Sequence, residues 1–122
     1  MPAGYRVQLL PEEYAPGGVF AGLARWLDAN LERFGFFRPY DVDRGGVHPE
    51  PWHISYAPIA LRAADALTVE LVADTLRDAD VLGKTRLLQR LPEIHRRFVA
   101  NVGYPALAQY VLDSSSRGAR QL

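Results

Sequence analysis

Cysteine is absent from the 122 residues, so no disulfide frames the chain and no thiolate can hold a metal, and the redox compartment stays open. A net charge is absent as well: fourteen basic side chains, thirteen of them arginine, stand against fourteen acidic ones. A dedicated nucleic-acid binder needs a basic face to neutralise phosphates, and this balance argues against nucleic acid as a partner. No apolar run reaches the 18 residues or so that a membrane-spanning helix needs, so no transmembrane segment is expected. Residues Met1 to Leu10 do not read as a signal peptide, because Gly4, Arg6 and Gln8 interrupt any apolar stretch. Internal repeats and domain linkers are missing too.

What the chain does have is apolar mass. Hydrophobic residues make up 48% and charged residues 23%, enough for the core of one ordinary domain. The expected fold class is α+β: a small antiparallel sheet packed with helices, the C-terminal part helical. That domain is expected over 1–112, with 113–122 as a flexible tail. Tyr5 to Leu10 reads as a short strand, followed by turn residues Pro11, Pro16, Gly17 and Gly18. Val19, Phe20, Leu23, Trp26, Leu27, Leu31 and Phe34 recur at helical spacing up to Gly35, which sits where a glycine stop belongs. Trp26, Phe34, Phe36 and Phe37 read as core by that spacing. Gly35 to Tyr40 and Trp52 to Tyr56 are strand candidates, and the polar loop Asp41 to Gly46 between them makes an antiparallel pair economical. From Pro58 onward the pattern is helical, with Thr68 as a cap and Pro92 as the first residue of a further helix.

Two of the three histidines fall within six residues, in His48-Pro49-Glu50-Pro51-Trp52-His53. Pro49 and Pro51 confine the residues before them to extended backbone. In a straight strand Glu50 and His53 face opposite sides, whereas a proline-kinked entry brings them onto one side. An imidazole beside a carboxylate is a unit of zinc hydrolysis, the nitrogen holding the metal and the carboxylate taking a proton from its water. Read from composition and spacing alone, the same residues more often make a packed loop. His95 reads as a solvated residue on the polar side of its helix. Arg86, Arg90, Arg96 and Arg97 belong with Asp74, Asp78, Asp80 and Glu93 to a mixed charged surface.

Glu50-Pro51-Trp52-His53, preceded by Gly45-Gly46 and followed by Ile54-Ser55-Tyr56, resembles the ExWH signature of VanY-type D-alanyl-D-alanine carboxypeptidases. These are zinc peptidases of the hedgehog/DD-peptidase fold. Tyr5 to Tyr14, the helix around Trp26, the segment Phe34 to Tyr40 and Phe98 to Val102 look similar as well. The resemblance implies zinc as cofactor, Glu50 as general base and later proton donor, His53 as the last zinc ligand, and Trp52 as a structural residue at the site. It also implies a peptide substrate ending in D-Ala, such as a peptidoglycan stem peptide, and a family often placed in the cell envelope.

The chain departs from the family in one respect. The upstream SxHxxGxxxD motif that carries the other two ligands is not found in it. His48 is a surrogate ligand to weigh against an exposed loop histidine, and Asp41 and Asp43 are weighed against ordinary turn formers. Arg38 suits a substrate carboxylate or a structural salt bridge equally. Two expectations follow: an N-terminally incomplete zinc carboxypeptidase domain, or a non-catalytic remnant of the same fold that binds a peptide or protein or forms homo-oligomers.

Overall fold

The computed structural model describes residues 3–105, and the expected tail 113–122 lies outside them. Helix α1 (Pro11–Tyr14) starts at a proline, whose fixed φ and missing N–H suit a first helical position. Helix α2 (Ala21–Asn30) and a 3₁₀ turn (Glu32–Phe34) follow, ending at Gly35 with φ of 77°, the left-handed stop that glycine takes without a Cβ penalty. Strands β1 (Phe36–Phe37) and β2 (Ser55–Tyr56) pair antiparallel, Phe36 opposite Tyr56 and Phe37 opposite Ser55. Then come α3 (Ala57–Ala66), α4 (Val69–Asp78) and α5 (Lys84–Ile94), the last continuing into a π-helical turn at His95–Val99. The fold is α+β, with a two-stranded sheet and helices on either side of it in sequence.

Thr68 caps α4 as expected, its hydroxyl accepting from the Leu71 amide at 3.2 Å. Four other readings are corrected. Residues 5–10 form no strand and join no sheet. Leu9 sits at φ of 55°, which breaks the alternation a strand needs, and the amides of Gln8 and Leu10 donate to the Glu13 carboxylate at 3.0 and 3.1 Å. Pro92 does not open a helix. It lies inside α5, where its missing N–H leaves the Leu88 carbonyl without its intrahelical donor, and the chain widens to π winding three residues later.

The third correction concerns the core. Helix α2 buries its alanines, Ala21 and Ala24, while Trp26 and Phe34 stand 53% and 52% exposed, stacked on each other at 6.1 Å. Small side chains let α2 approach its neighbours closely, and the large ones are left on the outer face. Of the predicted aromatic core only Phe37 is buried, with Phe36 intermediate and packed on Tyr56. Fourth, His95 is not simply solvated: its Nε2 lies 2.6 Å from the Leu67 carbonyl, tying the π turn to the α3–α4 junction.

Candidate functional site

Strand β1 ends at Phe37 and β2 starts only at Ser55, short of the expected Gly35 to Tyr40 and Trp52 to Tyr56. The chain turns at Pro39 and Tyr40, and Arg38 to Tyr40 is the wall against which residues 48–53 turn. Pro39 is buried, and its carbonyl accepts from the Gly103 amide at 2.7 Å. The Tyr40 carbonyl accepts from the Glu50 amide at 2.9 Å, and the Glu50 carbonyl accepts from the His53 amide at 3.0 Å. The second bond closes a tight turn over Pro51 and Trp52. It brings the Glu50 Oε2 to 3.0 Å from the His53 Nδ1, so the kinked entry does put the carboxylate and the imidazole on one side. Both groups are open to solvent, their side chains 30% and 46% exposed.

With Nδ1 engaged by a carboxylate, Nε2 is the ring nitrogen left over, since the hydrogen bond at one nitrogen fixes the role of the other. The Tyr40 ring stands perpendicular to the His53 ring, 4.9 Å between centroids. Trp52 lies against Tyr14 at 5.7 Å, and Tyr14 against Phe20 at 5.1 Å, so an aromatic row ties the turn to the first two helices. Neither Tyr40 nor Tyr14 stood out in the sequence. No spacing rule points to Tyr40, because Pro39 and Tyr40 lie in a turn and the direction of the ring is set by the fold.

Arg38 is engaged structurally. Its Nε donates to the Pro51 carbonyl at 2.9 Å, and its Nη1 pairs with Asp28 of α2. The side chain is 16% exposed and clamps the turn to the helix. His48 is exposed on the loop. Asp41 is paired with Arg44 at 2.6 Å, and that hydrogen bond is the main reason its carboxyl is held below the ordinary range. Asp43 accepts from the Gly45 amide at 2.7 Å, a local turn bond. Both aspartates are therefore spent within their loop.

The family-type metal fails a test of the donor set. A catalytic zinc site takes three protein ligands and keeps one position open. Among the described residues no three His, Cys, Asp or Glu side chains gather where they could hold a metal. Glu50 and His53 supply one imidazole and one carboxylate, which does not fill such a site. Neither residue of the pair lines the open cleft of about 630 Å³ formed by Arg44, Gly45, Arg96, Arg97, Ala100 and Asn101. The chemistry the pair can perform is at an open surface turn.

A family model described as VanY, D-alanyl-D-alanine carboxypeptidase, matches residues 5–59, which contain this turn. A protein of Haemophilus influenzae described as uncharacterized is 34% identical over 101 residues, 81% of this chain and 77% of that protein. The D-alanyl-D-alanine carboxypeptidase of Enterococcus faecalis is 53% identical over 38 residues. That match takes in 29% of this chain and 14% of the enterococcal enzyme. No solved structure matches the chain.

Proposed function

Since the chain belongs to the VanY-type D-alanyl-D-alanine carboxypeptidase family by its N-terminal region, we propose that it serves peptide hydrolysis at the C-terminal end of cell-wall peptides, with Glu50 and His53 as its working pair. Glu50 takes a proton from the attacking water at a carboxylate oxygen and returns it to the leaving nitrogen as the carbon–nitrogen bond breaks. His53 offers Nε2 as the one imidazole donor toward the zinc this family uses, and Trp52 packs beneath the turn. Were zinc held there by a full ligand set, it would supply Lewis-acid polarisation and a nucleophile usable near neutral pH. Among the described residues no further donors gather beside the pair, and His48 is the surrogate nearest along the chain. The observation that carries the reading is the 3.0 Å contact of Glu50 with His53 inside the matched segment.

Calorimetric titration with zinc, beside His53→Ala and Glu50→Gln, tests it. With a single imidazole at the turn, binding weaker than a full catalytic site gives is expected, lost in His53→Ala and retained in Glu50→Gln. Heat that is indifferent to His53 would sink the proposal. Release of D-Ala from a D-Ala-D-Ala peptide is the second readout, expected to fall at least 100-fold in Glu50→Gln because a positioned acid–base group contributes about 10² to 10⁴ in rate.

A second reading has its own observation. Leu23, Trp26 and Phe34 leave an exposed apolar face on and beside α2, and such faces mark association sites when they are contiguous. In that reading the chain binds a protein or a second copy of itself and does no chemistry. Sedimentation of the wild-type chain against Trp26→Ser separates the two: a zinc-binding monomer favours the peptidase, and a zinc-indifferent oligomer broken by the substitution favours the remnant.

A further inference from the structure

Glu50 and His53 are an exposed pair, and exposed ion pairs or hydrogen bonds between mobile side chains hold poorly by themselves. Something must keep the imidazole facing the carboxylate if the pair is to act as one group. Two residues of the short segment after β1 reach the turn. Arg38 grips its backbone at the Pro51 carbonyl, 2.9 Å away, and is itself fixed by Asp28. Tyr40 grips it twice, through its carbonyl on the Glu50 amide at 2.9 Å and through its ring, perpendicular to the His53 imidazole at 4.9 Å. Buried Pro39 between them ties the segment to Gly103, so the wall does not move with the turn.

We propose that Tyr40 is the positioning residue of the Glu50–His53 pair: its ring holds the imidazole with Nδ1 on Glu50 and Nε2 turned outward. The function this serves rests on the reading above, but the geometry and its test do not. A perpendicular aromatic contact confines the second torsion of a histidine, and the carboxylate then selects the tautomer. The ring supplies the constraint and the hydroxyl is not used, so phenylalanine is a sufficient replacement. Backbone pairing at residue 40 is independent of its side chain, which leaves the turn intact when the ring is removed.

The experiment is nitrogen-15 NMR of the imidazole groups in the metal-free chain at about pH 8.5, above the ordinary imidazole value. His48 and His95 serve as internal references. The wild type is expected to show His53 as a single tautomer, with Nδ1 protonated, Nε2 bare, and ring protons displaced by the neighbouring aromatic ring. Tyr40→Phe keeps all of these. Tyr40→Leu loses the displacement and draws the two His53 nitrogens toward a common average, while His95 is unchanged. Wild-type shifts surviving in Tyr40→Leu, or lost in Tyr40→Phe, would overturn the proposal. Should Tyr40→Leu fail to fold, an undisplaced or tautomer-averaged His53 in the wild type or in Tyr40→Phe overturns it as well. Because no metal is present, failure here is distinct from failure of zinc binding or of peptidase activity.

Discussion

Glu13 is the buried charged side chain among the described residues, and it organises the segment before it. The Tyr5 hydroxyl and the amides of Gln8 and Leu10 all donate to its carboxylate. The Tyr5 hydrogen bond, first among these causes, holds the Glu13 carboxyl below its ordinary value of 4.5 against the opposing effect of burial. The same contact holds the Tyr5 phenol above its ordinary 10.0. A carboxyl with a depressed native value stabilises the fold above its unfolded value and loses that contribution as pH falls through the native one. Stability should therefore decline below about pH 4.5. For the phenol the sign reverses: its contribution is present below about pH 10 and lost as pH rises through the raised value. Urea unfolding of Glu13→Gln is expected to show lower stability at neutral pH and a flatter acid limb than the wild type. An unchanged acid limb would remove Glu13 from the account.

Among the elements, the short β-pair matters most, because it places the wall of residues 38–40 beside the turn of residues 48–53. Two residues per strand are marginal by themselves, and the pair leans on what brackets it. Gly35 is the tightest bracket. Its amide and carbonyl bond Glu32 and Ala57, and a Cβ added there would sit 3.1 Å from the Tyr56 ring at φ of 77°. Gly35→Ala is expected to cost roughly 1–2 kcal/mol from the left-handed backbone alone. Denaturant unfolding measures that cost, and the β1–β2 amide exchange should rise more than that of α4. A neutral effect on both would mean the stop is not needed. The π turn after Pro92 is a different case: it presents His95 to the Leu67 carbonyl at 2.6 Å, joining two helical segments that periodicity alone reads as separate.

At the scale of the molecule, the core is small. Its buried hydrophobic residues are Ala21, Ala24, Phe37, Ala57, Ala73 and Leu91, and four of these six are alanine. Larger apolar side chains, from Leu23 and Trp26 to Phe34 and Ile59, stand at the surface. Trp26→Ser with Phe34→Ser should change stability by no more than about 0.5 kcal/mol each, since surface substitutions rarely exceed that. Binding of an apolar dye by the native chain should fall markedly in the same variant. A large stability loss would place these rings in the core after all.

The sequence by itself determined the α+β class, the helix ending at Gly35, the Thr68 cap, the antiparallel sense of the β1–β2 pair though not its extent, and the VanY-type relationship. These rest on local rules: residue period, left-handed glycine, side-chain capping, and a short signature whose prolines limit the backbone. Tertiary structure alone decided which side of α2 is buried, because period identifies an apolar stripe but not whether anything packs against it. It decided that Tyr5–Leu10 is no strand, because a carboxylate three residues beyond captures the amides a neighbouring strand would need. It decided that Arg38 clamps Pro51 and Asp28, a partnership across thirteen and ten residues that no spacing rule encodes. The place of Tyr40 against His53 belongs with these: the contact follows from how the turn at Pro39 and Tyr40 meets the turn of residues 50–53, and only the fold sets that.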